Sequence, residues 1–182
     1  RALSLLFEQG GSRIVALDNV DLSIAKGEFV SLIGPSGCGK TSLLRMIADL
    51  AQPTSGMLRV AGRSAEEARK SRSYGIVFQQ PALWPWRRAE GNVALPLEIM
   101  GRPRADRAGR TRETLARVDL AGFEASYPWQ LSGGMQQRVA IARAMSFGAE
   151  LLLMDEPFGA LDEITRDALN LYLRAIWEET QA

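Results

Sequence analysis

The string Gly34-Pro35-Ser36-Gly37-Cys38-Gly39-Lys40-Thr41 puts glycines, a lysine and a hydroxyl into eight residues. It fits the pattern G-x-x-x-x-G-K-[ST]. Gly37 and Gly39 can take backbone angles closed to other residues, so the loop can turn its N–H groups inward around a phosphate. The helix expected next aims its positive end at the same anion. Lys40 supplies a mobile cation for terminal phosphates, and the Thr41 hydroxyl is placed to ligand Mg²⁺. Ser42 follows in the first helical turn, and Cys38 is a small residue that the loop tolerates. A chance match is rare, on the order of 10⁻⁵–10⁻⁴ per position.

Leu151-Leu152-Leu153-Met154 is an apolar strand pattern that runs into Asp155 and Glu156. Two carboxylates at the carboxyl end of a strand stand where open α/β sheets bind ligands. Asp155 is suited to the magnesium shell, and Glu156 to orienting and polarising an attacking water. Acids after a strand are often solvated turn residues, a reading that the phosphate loop disfavours here. Ser132, Gly133 and Gly134 open a helix, so a hydroxyl, free N–H groups and a dipole make a second anion site. Physics alone does not exclude an ordinary serine cap followed by flexible glycines.

Leu131-Ser132-Gly133-Gly134-Met135-Gln136-Gln137-Arg138 resembles the signature motif of ABC ATPases. The resemblance implies ATP and Mg²⁺ as ligands. It also implies a head-to-tail pair of subunits, each signature (Ser132, Gly133, Gly134, Gln136) closing over the other subunit's ATP. Gln79 resembles the glutamine linking magnesium to the membrane subunit, and Gly159-Ala160-Leu161-Asp162 resembles the loop that crosses the dimer interface. Phe7 lies where the family stacks an aromatic on adenine, although a lone phenylalanine in a strand is more often core. Pro85-Trp86-Arg87, Tyr127-Pro128 and the run Met154 to Asp162 are similar to the nitrate/sulfonate/taurine importer ATPases. The partners implied are a second ATPase subunit, a transmembrane permease and, indirectly, a solute-binding protein. The place implied is the cytoplasmic face of the cell membrane.

Several elements must position these residues. Alternation predicts a half-buried strand over 20–24, and a short apolar run predicts a buried strand over 29–33 that leads into the phosphate loop. A helix follows, with Leu43, Leu44, Ile47 and Leu50 on one face, then a break at 53–56. Strands are expected near 76–78 and 151–154. Helices are expected around 93–100, 110–118, 133–147 and from about 162 to 180, the last with Leu161, Ile164, Ala168, Tyr172 and Ile176 on one face. Strands alternating with helices predict an α/β fold with a parallel sheet covered on both sides. The resemblance refines this to a P-loop NTPase with a mostly parallel central sheet, an N-terminal antiparallel β portion and an inserted helical lobe. Residues 1–182 then form one ATPase domain, with 1–80 and 148–182 as nucleotide-binding core and 81–147 as the lobe.

Composition sets the bounds. The chain has 182 residues, 46 % hydrophobic, with 22 basic against 21 acidic residues and a formal charge of +1. A nucleic-acid partner is not expected: the six arginines from Arg102 to Arg117 lack interleaved aromatics and read as a solvated helical face. One cysteine builds no internal disulfide, which suits a reducing compartment. No apolar run reaches the roughly 18 residues of a membrane span. Trp84 and Trp86, in a proline-rich turn after Gln79, either pack the lobe or face the membrane subunit.

Two departures stand out. The family carries a switch histidine on a loop after a further buried strand, and this sequence contains no histidine. It starts at Arg1 and stops at Ala182, about where that strand is expected, so the chain is expected to be a fragment of a longer protein. Asp49 stands where the family commonly has glycine, at a helix end. A non-hydrolytic nucleotide-binding regulator is the alternative that the missing histidine favours. Soluble repair or translation members are disfavoured, because coiled coils and a second cassette are both lacking.

Overall fold

A computed structural model describes residues 2–9, 12–159 and 163–180. The chain divides by packing into two units, one ending at Tyr74 and one beginning at Gly75.

In the first unit, β1 (Leu3–Gln9) and β2 (Ser12–Val20) pair antiparallel, with register irregularities between Leu3 and Leu6. Leu3 and Leu5, two apart and so on one face of the pleat, are buried with Leu17 of β2. Helix α1 (Lys40–Ile47) brings Leu43 and Met46 to the same core, three residues apart on one helical face. Helix α1 ends near Asp49, whose φ of +53° is left-handed. Glycine takes this conformation freely, and aspartate is among the few other residues that visit it. The Asp49 carboxylate accepts hydrogen bonds from Arg69 Nε at 2.8 Å and Gln52 Nε2 at 2.7 Å. Arg69 lies on α2 (Ala65–Lys70), which a reciprocal Ser64–Glu67 capping box begins.

The strands expected over 20–24 and 29–33 are a correction. β2 ends at Val20, and neither segment joins either sheet. Leu22, Ile24, Phe29 and Val30 are exposed, and Ile33 is 95 % exposed. An apolar run has the composition of a buried strand, but a strand exists only with a hydrogen-bonded neighbour, and no described segment pairs with these two.

In the second unit, β3 (Tyr74–Val77) and β4 (Leu151–Met154) lie side by side in a parallel pair. Helices α3 (Ala89–Ile99), α4 (Arg104–Arg117) and α5 (Gly133–Met145) and the short 3-10 turn Pro128–Gln130 lie between them in sequence. Helix α6 (Glu163–Thr180) closes the unit. One core joins Val77, Val93, Leu115, Val139 and Ile141 with Leu173 and Ile176 of α6. The lobe expected over 81–147 therefore shares its core with the β3–β4 pair and α6. Of the face expected on α6, Ile176 is buried and Tyr172 half-buried; Leu161 and the side chains of Ile164 and Ala168 lie outside the described residues.

Asn92 organises the turn before α3. It is fully buried, and its Oδ1 accepts from Trp84 N at 2.8 Å. Its Nδ2 donates to the carbonyls of Trp84, Arg87 and Arg88 at 3.2, 3.0 and 3.2 Å. Trp84 and Trp86 are thereby set near each other, ring centroids 5.5 Å apart, and the Arg87 guanidinium lies over Trp84. Trp86 stays 69 % exposed, so the turn is pinned by asparagine and not by burial of its tryptophans.

Candidate functional site

The phosphate loop lies in the first unit. Gly37 and Gly39 have φ of +82° and +97°, the conformation the sequence demanded. They differ in surroundings. A Cβ on Gly37 would meet nothing within 4 Å, whereas one on Gly39 would lie 2.4 Å from Ala16 O and 2.8 Å from Leu17 Cδ2. Gly39 lets the loop press against β2 as it enters α1. The helix has no acidic residue in its first turn, so nothing there competes with an anion for the positive end. The Lys40 ammonium folds over its own loop, donating to the carbonyls of Gly34 and Pro35, both at 2.9 Å, with Cys38 Sγ at 3.8 Å. Gly34, Pro35, Ser36 and Cys38 are exposed, and Thr41 and Ser42 are half-buried in the first turn.

Phe7 pairs across the sheet with Ile14. Phe7 is 46 % and Ile14 48 % exposed. The ring is not core; it forms an exposed apolar ledge of the kind on which a planar base stacks.

The carboxylates lie in the second unit. β4 delivers Asp155, whose N–H donates to Val77 O at 2.9 Å, and then Glu156. Glu156 has φ of +44°, a left-handed state that costs a residue with a Cβ about 1–2 kcal/mol. Its exposed carboxylate is met by Gln79, whose Nε2 donates to Oε2 at 3.4 Å. The structure thus brings together two residues 77 apart in sequence that were singled out separately. With its nitrogen donated to Glu156, the Gln79 amide keeps a carbonyl oxygen as an acceptor. Within the second unit, Gln79 and Asp155 carry hard oxygen donors of the kind Mg²⁺ prefers. No cluster of three or more His, Cys, Asp or Glu able to hold a metal occurs among the described residues. Magnesium bound with a nucleotide needs none, since it is usually held through one or two carboxylates, with phosphate and water filling much of its shell.

Ser132 caps α5, its Oγ accepting from Met135 N at 3.2 Å. The hydroxyl hydrogen is left to donate elsewhere, and Gly133 and Gly134 occupy the first turn. Gln136 behaves differently. Its Nε2 donates to Pro128 O at 3.0 Å and Leu131 O at 3.1 Å, which braces the turn before Ser132. The group it has left is a carbonyl, which does not attract an anion. Asp162 lies outside the described residues.

Two residues of α5 were not singled out by sequence. Gln137, buried, donates from Nε2 to Phe78 O at 3.3 Å. Arg143 donates to Pro81 O and Ala82 O, both at 2.8 Å. The available signal is that α5 buries residues nearly all round, including Val139, Ala140, Ile141, Ala142 and Ala144. A polar residue on such a helix must find a partner.

Comparison with known proteins shows the family. The sequence model described as ABC transporter matches residues 17–159. An uncharacterised ABC transporter ATP-binding protein of Methanocaldococcus jannaschii is 48 % identical over 177 residues, covering 97 % of this chain and 66 % of the relative. A taurine import ATP-binding protein, TauB, of Chromobacterium violaceum is 50 % identical over 170 residues, covering 91 % and 62 %. The chain thus spans about two thirds of the length of the curated relatives it matches. Among solved structures, a dimeric ATP-binding cassette in a post-hydrolysis state with ADP and Pi has a TM-score of 0.86 at 38 % identity, covering 98 % of this chain and 82 % of that one.

Proposed function

Since the chain belongs to the ABC transporter family, we propose that it is the ATP-binding and ATP-hydrolysing part of an importer subunit. The observation that carries the reading is the phosphate loop, whose two left-handed glycines and curled-back lysine make a cradle for an anion at the start of α1. In this reading Gly34 to Ser42 hold the nucleotide phosphates. Thr41, Asp155 and Gln79 hold Mg²⁺, which neutralises phosphate charge when bound. Phe7 stacks on adenine, and Glu156, steadied by Gln79, takes up the proton of the attacking water. Ser132, Gly133 and Gly134 close over the ATP of a second copy, and Asp162 acts at that interface. The work comes from ATP favouring the closed pair over the open one.

The likeness to taurine import proteins supports a solute of the nitrate, sulfonate or taurine kind. The partners in this reading are a transmembrane permease and, through it, a solute-binding protein, at the cytoplasmic face of the membrane. No helix among the described residues is long and apolar enough to cross a membrane; in this reading the permease supplies the attachment. The test is Glu156→Gln in the complete protein. Loss of a general base lowers turnover by about 10²–10⁴-fold, ATP binding is retained, and ATP traps a dimer on size exclusion. Undiminished turnover removes Glu156 from this role. A wild-type protein that binds ATP without hydrolysing it makes the chain a regulator.

A further inference from the structure

We propose that Arg143 is a positioning residue that sets Gln79 against Glu156 by clamping the backbone just beyond Gln79. This rests on the reading that Gln79 serves ATP hydrolysis. Before Gln79 the chain is well held: Val77 O accepts from Asp155 N at 2.9 Å and Phe78 O from Gln137 Nε2 at 3.3 Å. After Gln79, no backbone–backbone hydrogen bond among the described residues holds residues 80–83. Pro81 has no N–H to give, and Ala82 sits at φ +46°, a left-handed state that side chains with a Cβ disfavour. Such a state persists only where its surroundings hold it.

Arg143 supplies the hold. Its Nη1 and Nη2 donate to two successive carbonyls, Ala82 O and Pro81 O, each at 2.8 Å. A planar fork matches two neighbouring acceptors and is preorganised to do so. Among the described residues Arg143 forms no ion pair. Burial lowers its guanidinium pKa, yet the group remains charged. A half-buried guanidinium whose hydrogen bonds, among the described residues, go to two loop carbonyls is explained by what those carbonyls must do. The Gln79–Glu156 bond is already long at 3.4 Å, so a small drift of the loop breaks it.

The test uses Arg143→Met and Arg143→Lys in the complete protein, with and without Gln79→Ala. Displacement of a catalytic group by about 1 Å costs up to about 100-fold. Arg143→Met is therefore expected to lower kcat about 10–100-fold with little change in KM for ATP, the pattern of a lost transition-state interaction. In the Gln79→Ala background the same change is expected to add almost nothing, and Arg143→Lys to recover part of the loss. Hydrogen exchange at residues 78–83 is expected to speed up in Arg143→Met while exchange in β4 is unchanged, which also reports that the variant is folded. An undiminished kcat, an equal loss with and without Gln79, or unaltered exchange at 78–83 overturns the proposal. If the unsubstituted protein hydrolyses no ATP, the hydrolysis reading falls, and the exchange measurement still decides whether Arg143 clamps the loop.

Discussion

Substituting alanine at Gly37 and at Gly39 separates two reasons for a glycine that sequence cannot tell apart. Both residues have positive φ, +82° and +97°, so both variants carry the left-handed penalty of about 1–2 kcal/mol. Only Gly39 is also closed in, its Cβ falling 2.4 Å from Ala16 O. Backbone on the far side cannot swing away as a side-chain tip can, so the clash adds an overpacking cost of about 1–3 kcal/mol. Gly39→Ala is thus expected to lose about 2–5 kcal/mol in all. For a chain of this size 1 kcal/mol moves Tm by about 2–4 °C, which places Gly39→Ala about 2–12 °C below Gly37→Ala. The assay is thermal denaturation of both variants by circular dichroism, with titration of a fluorescent ATP analogue. Gly39→Ala is expected to lose nucleotide binding as the loop leaves β2, and Gly37→Ala to keep more of it. Coincident melting of the two variants refutes the argument that contact with β2 makes Gly39 necessary.

Further outcomes follow from the buried polar contacts. Asn92→Leu leaves the Trp84 N–H without its partner and is expected to destabilise by about 1–3 kcal/mol, read by urea denaturation; an unchanged midpoint shows that the turn is held by something else. Asp49 is held below the usual carboxylate range, chiefly by its hydrogen bond from Arg69, and Glu67 chiefly by the Ser64 backbone N–H. A depressed folded pKa contributes stability above the unfolded values of about 3.9 and 4.3. That contribution is lost as pH falls through the lower folded values. Stability is expected to drop on acidification below about pH 4. Asp49→Asn, which still tolerates positive φ, is expected to flatten that drop, and an unaltered acid profile counts against the Arg69 contact.

Local chemistry was legible where the physics is local. The phosphate loop, the Ser132 cap and the carboxylates after β4 each follow from a few consecutive residues. Contacts between distant residues were not legible. Nothing around Asp49 announces Arg69, twenty residues on, and nothing around Gln79 announces Arg143. The runs at 20–24 and 29–33 show the other limit, since alternation and apolarity report affinity for a sheet but cannot name the neighbouring strand. Phe7 was left between core and ledge for a similar reason: its face depends on register, and β1 carries irregularities between Leu3 and Leu6.

The division between Tyr74 and Gly75 has a spectroscopic consequence. Trp84, Trp86, Trp129 and Trp177 are the four tryptophans of the chain, and all fall in the second unit. Indole emission therefore originates in the second unit, whereas circular dichroism reads both units. An emission melt that lags or leads the circular dichroism melt would reveal units that unfold separately. Replacing exposed Phe7 with tryptophan would give the silent unit a reporter of its own, on the ledge proposed to receive adenine.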